Sequence, residues 1–292
     1  MSWRTVVITG IAKLDYRMGY MVIRKKEAIH RVHIGEIGLL IIESTSVSLT
    51  TALLSELIKK KVKVVFCDEK HNPESELQAY YGSHDTSLKV KQQMAWTNKD
   101  KKMIWTEIVS EKIRNQMFFL DELGYHDRAC LLKAYLHDIK LADESNREGH
   151  AAKVYFNALF GLDFTRTTDN FINAALNYGY GIILSCFNRE VVANGYITQL
   201  GLFHDNMFNP FNLASDLMEP FRILVDRTVV KMKPETFNHQ EKMDLVRLIS
   251  EDILIDGKLN SINNGIKIYC RSVFDALNER DISLIKFYKN EL

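Results

Sequence analysis

The chain has 292 residues, 46% hydrophobic and 26% charged, which is enough for one large core or two and weighs against disorder. Its 38 Lys plus Arg nearly cancel 37 Asp plus Glu, so affinity for a polyanion has to come from local patches rather than bulk charge. Cys67, Cys130, Cys186 and Cys270 are scattered with no C-x-x-C, arguing against a disulfide framework or a structural zinc site. The N-terminal residues lack a signal-peptide order and no apolar run approaches a membrane span, so a soluble cytoplasmic protein without membrane association is expected.

The first 70 residues carry short β-branched runs at 5–9, 12–17, 20–24, 28–34 and 39–43, with hairpin breaks at Met18-Gly19 and Lys25-Lys26-Glu27. Residues 46–61 put Val47, Leu49, Leu53, Leu54, Leu57 and Ile58 on one helical stripe, and 62–67 returns as a strand. Beyond His71-Asn72-Pro73 helical spacing takes over. Helices are predicted over 86–123, 128–140, 146–160, 169–194, 216–232, 239–255 and 261–278. The fold class is therefore α+β: a small β-rich domain at 1–78 followed by a larger all-α domain at 79–292.

Candidate chemistry is concentrated between Arg147 and Arg222. Glu148 lies three residues after Ser145, a spacing that also describes a capping box in which the glutamate serves its own helix. His204, in Gly201-Leu202-Phe203-His204, reads equally as a structural histidine or as a neutral ligand suited to Mn²⁺ or Mg²⁺ beside carboxylates. Asp216 and Glu219 are i and i+3 in the first turn of a helix that Ser215 would cap, where acids also favour the helix dipole. Leu176-Asn177-Tyr178-Gly179-Tyr180 is a helical segment with two nearby glycines but no nucleotide-binding pattern.

Four His-Asp doublets, at 84, 126, 137 and 204, raise a different metal reading, with His126 and His137 close to three helical turns apart. Leu123-Gly124-Tyr125 breaks the helix before His126, which counts against it. For nucleic acid the local candidates are the stretch from Lys89 to Arg114, with Lys89, Lys91, Lys99, Lys101, Lys102, Lys112 and Arg114 and with Trp96 and Trp105 interspersed, and the run from Arg222 to Lys233; a solvated helix face explains them equally well.

The segments Glu148-Gly149-His150-Ala151-Ala152, Asn177-Tyr178-Gly179, Gly-x-x-His ending at His204, and Asp216-Leu217-Met218-Glu219-Pro220-Phe221-Arg222 resemble the CRISPR-associated adaptation integrases in their type II form. The resemblance implies that Glu148, His204 and Glu219 are catalytic ligands of Mg²⁺ or Mn²⁺, with Asp216 and Asn177 supporting them and Arg222 joining the lysines in contact with DNA. It implies a metal-dependent endonuclease that inserts short double-stranded DNA into the CRISPR array by 3′-hydroxyl transesterification. It further implies a homodimer built on the β domain, and a four-plus-two assembly with a small ferredoxin-like subunit. An effector nuclease and a ring-forming accessory protein complete the implied partners. A non-catalytic DNA- or partner-binding scaffold, with the acids as caps, is the alternative.

Overall fold

Short β-branched runs need neighbouring strands to pair their backbones, and the first part of the chain builds two sheets from them. In the computed structural model, which describes residues 4–69, 71–80 and 83–289, the chain divides into two compact units, Met1–Gly82 and Ser83–Leu292. The strands of the first unit are β1 (Arg4–Ile8), β2 (Ala12–Arg17), β3 (Tyr20–Arg24), β4 (Ile29–His33), β5 (Ile37–Ile42), β6 (Val47–Leu49), β7 (Lys63–Cys67) and β8 (Pro73–Leu77), with helix α1 (Thr51–Lys59) between β6 and β7. One sheet runs β1-β5-β7-β8, the other β4-β3-β2-β6. Strand β5 is buried along its whole length, as a central parallel strand should be. Leu14, Met21, Ile37, Leu40, Leu53, Leu57 and Val64 share the core. The β2–β3 hairpin closes through Met18 and Gly19 at φ 47° and 85°, the positive pair that a two-residue turn requires.

The structure corrects two expectations for this unit. Residues 46–61 are not one helix: Val47–Leu49 pairs parallel to β2, and the helix starts only after Thr50, whose hydroxyl accepts from the Leu53 amide at 3.4 Å. Strand β8, which has no period-two signal, pairs antiparallel with β7.

The second unit contains α2 (Thr86–Ala95), α3 (Asn98–Glu122), α4 (His126–His137), α5 (Arg147–Phe160), α6 (Phe171–Ala193), α7 (Asn212–Leu217), α8 (Arg222–Met232), α9 (His239–Leu248) and α10 (Ile262–Glu279). It also carries a small sheet of β9 (Asp252–Ile255), β10 (Lys258–Ser261) and β11 (Tyr288–Lys289), ordered β10-β9-β11, so the unit is mainly rather than wholly helical. The helix expected over 239–255 stops at Leu248, and Asp256-Gly257, both at positive φ, turn β9 into β10. The helix expected over 86–123 is broken at Trp96-Thr97, where Thr97 and Asp100 form a reciprocal capping box for α3. Among the described residues no helix is long and apolar enough to cross a membrane.

Helix α6 is apolar nearly all round, the pattern of a helix buried in the middle of a bundle. At Gly179 a Cβ atom would collide with Val225 of α8 and come within 3.2 Å of Leu245 of α9, so the glycine sets how closely three helices approach. Gly179→Val is expected to destabilise the protein by about 1–3 kcal/mol through overpacking. Denaturant unfolding measures it, and an unchanged midpoint would show that the helices can part without cost.

Candidate active site

Each acidic side chain at the site depends on a local device that turns its carboxylate inward. Before α5, Ala142, Asp143 and Asn146 adopt positive φ, and the Ala142 amide is tied to α3 through the Thr106 hydroxyl at 2.8 Å. Asp143 then caps α5, its two carboxylate oxygens accepting from the amides of Arg147 (2.7 Å) and Glu148 (2.8 Å). The capping-box alternative for Ser145 and Glu148 is therefore not used, and the Glu148 side chain is left for other work.

The chain after α6 is held by Gln93 of α2, which donates to the carbonyls of Ile197 (2.9 Å) and Leu200 (3.1 Å) and accepts from the Ile197 amide (3.0 Å). It next wraps around Asp216. That carboxylate is fully buried and accepts from the amides of Leu202 (2.6 Å), Phe203 (3.0 Å) and His204 (3.2 Å) and from His204 Nδ1 (2.5 Å). Gly201 is required for this wrap, since a Cβ there would run into the His204 carbonyl oxygen and sit 2.8 Å from Asp216 Oδ2. The structure revises the local secondary structure: Asn212 opens α7, Ser215 lies inside it rather than capping it, and Asp216 falls near its end. Glu219 and Pro220 then start a single 3₁₀ turn that leads into α8.

His204 turns Nδ1 toward an Asp216 oxygen, so in the neutral ring with Nδ1 as donor it is Nε2 that carries the lone pair. The same bond raises the imidazole pKa against the opposing pull of burial, with further lifts from the charges of Asp216, Glu219 and Glu148. The ring is fixed edge-on to Trp105, at 5.6 Å between centroids, and Trp105 in turn stacks on Phe203 at 4.7 Å.

Glu148 and Glu219 meet on one cation. Lys112 Nζ of α3 lies 2.5 Å from Glu148 Oε1 and 2.5 Å from Glu219 Oε2, so those two oxygens are at most about 5 Å apart. Arg222 donates from Nε to the other Glu219 oxygen at 2.9 Å while its guanidinium stacks over Tyr180 at 4.7 Å. Burial alone would raise the Glu219 pKa, but the Arg222 and Lys112 charges overcome it and hold the carboxyl at about 2.

Glu148 and Glu219 are thus brought together on Lys112 and His204 is paired with Asp216, the two glutamates lying near enough for their charges to act on the imidazole. Asn177 is not in direct contact with them: its side-chain oxygen accepts from Arg166 at 2.6 Å, and Arg166 also lies over Tyr180. Arg222 is engaged with Glu219. Lys91, Lys99 and Lys102 are exposed, Lys101 is half-buried, and Lys89 reaches over the Tyr196 ring. His126 and His137 are the exposed ends of α4, and His126 pairs with Asp121 at 2.6 Å.

Lys112 is the residue whose place sequence reasoning missed, counting it only among the candidates for DNA contact. Its signal was its position on a stripe with Trp105, Ile108, Gln116 and Phe119, all buried, where a lysine needs anionic partners. Among the described residues no three His, Cys, Asp or Glu side chains enclose a point where a metal ion would sit as arranged. Yet the donor set suits one. Two carboxylates already converge on a positive charge, and their charges reach the ring of His204, whose Nδ1 is engaged by Asp216.

Comparison with known proteins gives the family of the chain. The family model of CRISPR associated protein Cas1 matches residues 6–248, a span that includes all of these site residues. A CRISPR-associated endonuclease Cas1 of Neisseria meningitidis serogroup C (strain 8013) is 37% identical over 232 residues, 80% of this chain and 76% of that protein. Among solved structures, a casposase bound to integration product superposes with a TM-score of 0.78 at 19% identity, covering 99% of this chain and 92% of the other. A Thermotoga maritima Cas1 protein gives 0.76 at 18%, covering 94% and 97%. A chain of a Cas6-RT-Cas1–Cas2 complex gives 0.79 at 17%, covering all of this chain and 36% of that longer one. These structural likenesses show a common fold, and with the family match across both units they lead to one conclusion: the chain belongs to the CRISPR-associated Cas1 family.

Proposed function

We propose that this protein is a divalent-metal-dependent DNA endonuclease and integrase of CRISPR adaptation, with Glu148, Glu219 and Nε2 of His204 as the ligands of Mg²⁺ or Mn²⁺. The observation that carries the reading is the convergence of the Glu148 and Glu219 carboxylates on one cation, with His204, held through Nδ1 by Asp216, near enough to feel both of their charges. A bound divalent ion supplies charge stabilisation to phosphoryl transfer and favours the ionised form of an attacking hydroxyl. The protein contributes ionisation and aim. Glu219, held at about 2, remains a carboxylate at every physiological pH, and Asp216 fixes the histidine tautomer and ring.

In the integration reaction the 3′-hydroxyl of an incoming duplex attacks a phosphodiester at the end of a repeat. One P–O bond forms as another breaks, and the proton lost by the attacking hydroxyl is matched by one gained by the departing 3′-oxygen. Because one diester replaces another, no nucleotide cofactor is consumed. Acting on both ends of a duplex requires more than one site, which supports a homodimer and pairing with a Cas2-like subunit; Cas2 is named with Cas1 in the solved complex of similar fold. The dimer interface we assign to the first unit, where Ile11, Met18 and Ile29 expose apolar surface. Lys89, Lys91, Lys99, Lys101 and Lys102 offer phosphate contacts, while Arg222 acts mainly through Glu219. The type II form, with its effector nuclease and accessory ring, rests on the sequence resemblance, as does a bacterial cytoplasmic location. The scaffold alternative predicts binding without joining.

Joining a labelled duplex to a repeat-containing plasmid separates the two. It should require Mg²⁺ or Mn²⁺ and stop in chelator. Glu148→Ala, His204→Ala and Glu219→Ala should each lower it by at least about a hundredfold while duplex binding persists. Any of the three that joins at the normal rate is not a ligand. Asp216→Asn is expected to lose about 10–100-fold, with partial recovery at high Mn²⁺, because the histidine is still present but no longer aimed. Full activity in that variant would remove Asp216 from the mechanism. Light scattering on the protein alone at micromolar concentration should give a dimer, and a monomer would refute the assigned interface.

A further inference from the structure

Lys112 is at odds with its surroundings unless it has a task. Its side chain is 12% exposed, it lies on the buried stripe of α3, and its ammonium occupies the point where the Glu148 and Glu219 carboxylates converge. Without it, two carboxylates would face each other at close range, one of them almost wholly buried, and like charges so placed repel.

The local charges decide the outcome when a divalent ion arrives. Glu148 and Glu219 contribute two negative charges and Lys112 and Arg222 two positive ones, so these four groups already balance. An ion on the same oxygens would meet the ammonium at contact distance, and both cannot stay. The two cations are not equally free to leave. Arg222 is bonded to Glu219 through Nε and stacked on Tyr180, whose hydroxyl is itself bonded to Asp226. Lys112 is a point charge on a four-carbon stem that can swing without moving the backbone.

Building on the metal-site reading above, we propose that Lys112 is an exchangeable resident cation: it holds Glu148 and Glu219 together until a divalent ion binds, then yields its position to that ion. The carboxylates thus stay paired in both states, and the lysine lowers the apparent affinity of the site for a divalent ion by competing for it.

The test begins with the unaltered protein. Amine acylation followed by peptide mass spectrometry should show labelling of Lys112 rising at least about fivefold when Mg²⁺ is added, in proportion to the population of the released side chain. Unchanged or reduced labelling would overturn the proposal. Lys112→Met should bind Mn²⁺ about tenfold more tightly by titration calorimetry, since its competitor is gone, and should unfold at a lower temperature than the unaltered protein in chelator. Equal or weaker Mn²⁺ binding would contradict it. If that variant does not fold, the labelling result decides alone. A thermal shift with Mg²⁺ that is present in the unaltered protein and lost in His204→Ala and Glu219→Gln keeps the metal-site reading in place whatever Lys112 does. Absence of any shift in the unaltered protein removes both.

Discussion

A carboxylate buried as deeply as that of Glu219 keeps its charge only if cations face it, and much of the helical unit is arranged to provide them. Arg222 approaches from the next turn of the chain and Lys112 from a helix about a hundred residues earlier. Each cation is presented by structure of its own. Arg222 rests on Tyr180, and the Tyr180 and Tyr155 hydroxyls both donate to Asp226, whose buried carboxyl is pushed up to about 6 by desolvation despite those bonds. Lys112 is aimed by α3, which the Thr97–Asp100 capping box starts in register. Helices α3, α5, α6 and α8 are thereby coupled to one charge, so changes far from Glu219 will be felt there.

Two other acids serve the backbone. Asp143 and Asp216 each gather amides that would otherwise be unpaired at a helix start or in a tight loop, Asp143 two and Asp216 three. Asp143 frees Glu148 from capping, and Asp216 orients His204 through Nδ1. The chemistry of the site therefore rests on carboxylates of two kinds: those that organise the chain and those left with an oxygen for a cation.

The parts of the fold that were legible in the sequence are those where one period dominates over a long stretch. Helices α5, α6 and α10 fall within two residues of their expected ends, and the hairpin at Met18-Gly19 follows from turn chemistry. The misreadings have physical causes. Val47–Leu49 continues the apolar stripe of α1, but parallel pairing with β2 overrides that local signal. Asp256-Gly257 is a strong two-residue turn, yet it falls where an apolar pattern runs on from α9, and the hairpin of β9 and β10 is hidden by it. Within the site, the family-like segments marked Glu148, His204, Asp216 and Glu219. Lys112 carried no such mark, because the meaning of a lysine on a buried stripe depends on acids that only the tertiary fold brings to it.

The proposed chemistry requires that Glu148, Glu219 and Nε2 of His204 bind the same divalent ion. Anomalous diffraction from crystals grown with Mn²⁺ tests this most directly. The expected result is a manganese peak within bonding distance of both carboxylates and of His204 Nε2. A peak elsewhere, or none while the Lys112 ammonium still bridges the two glutamates at saturating Mn²⁺, would contradict it.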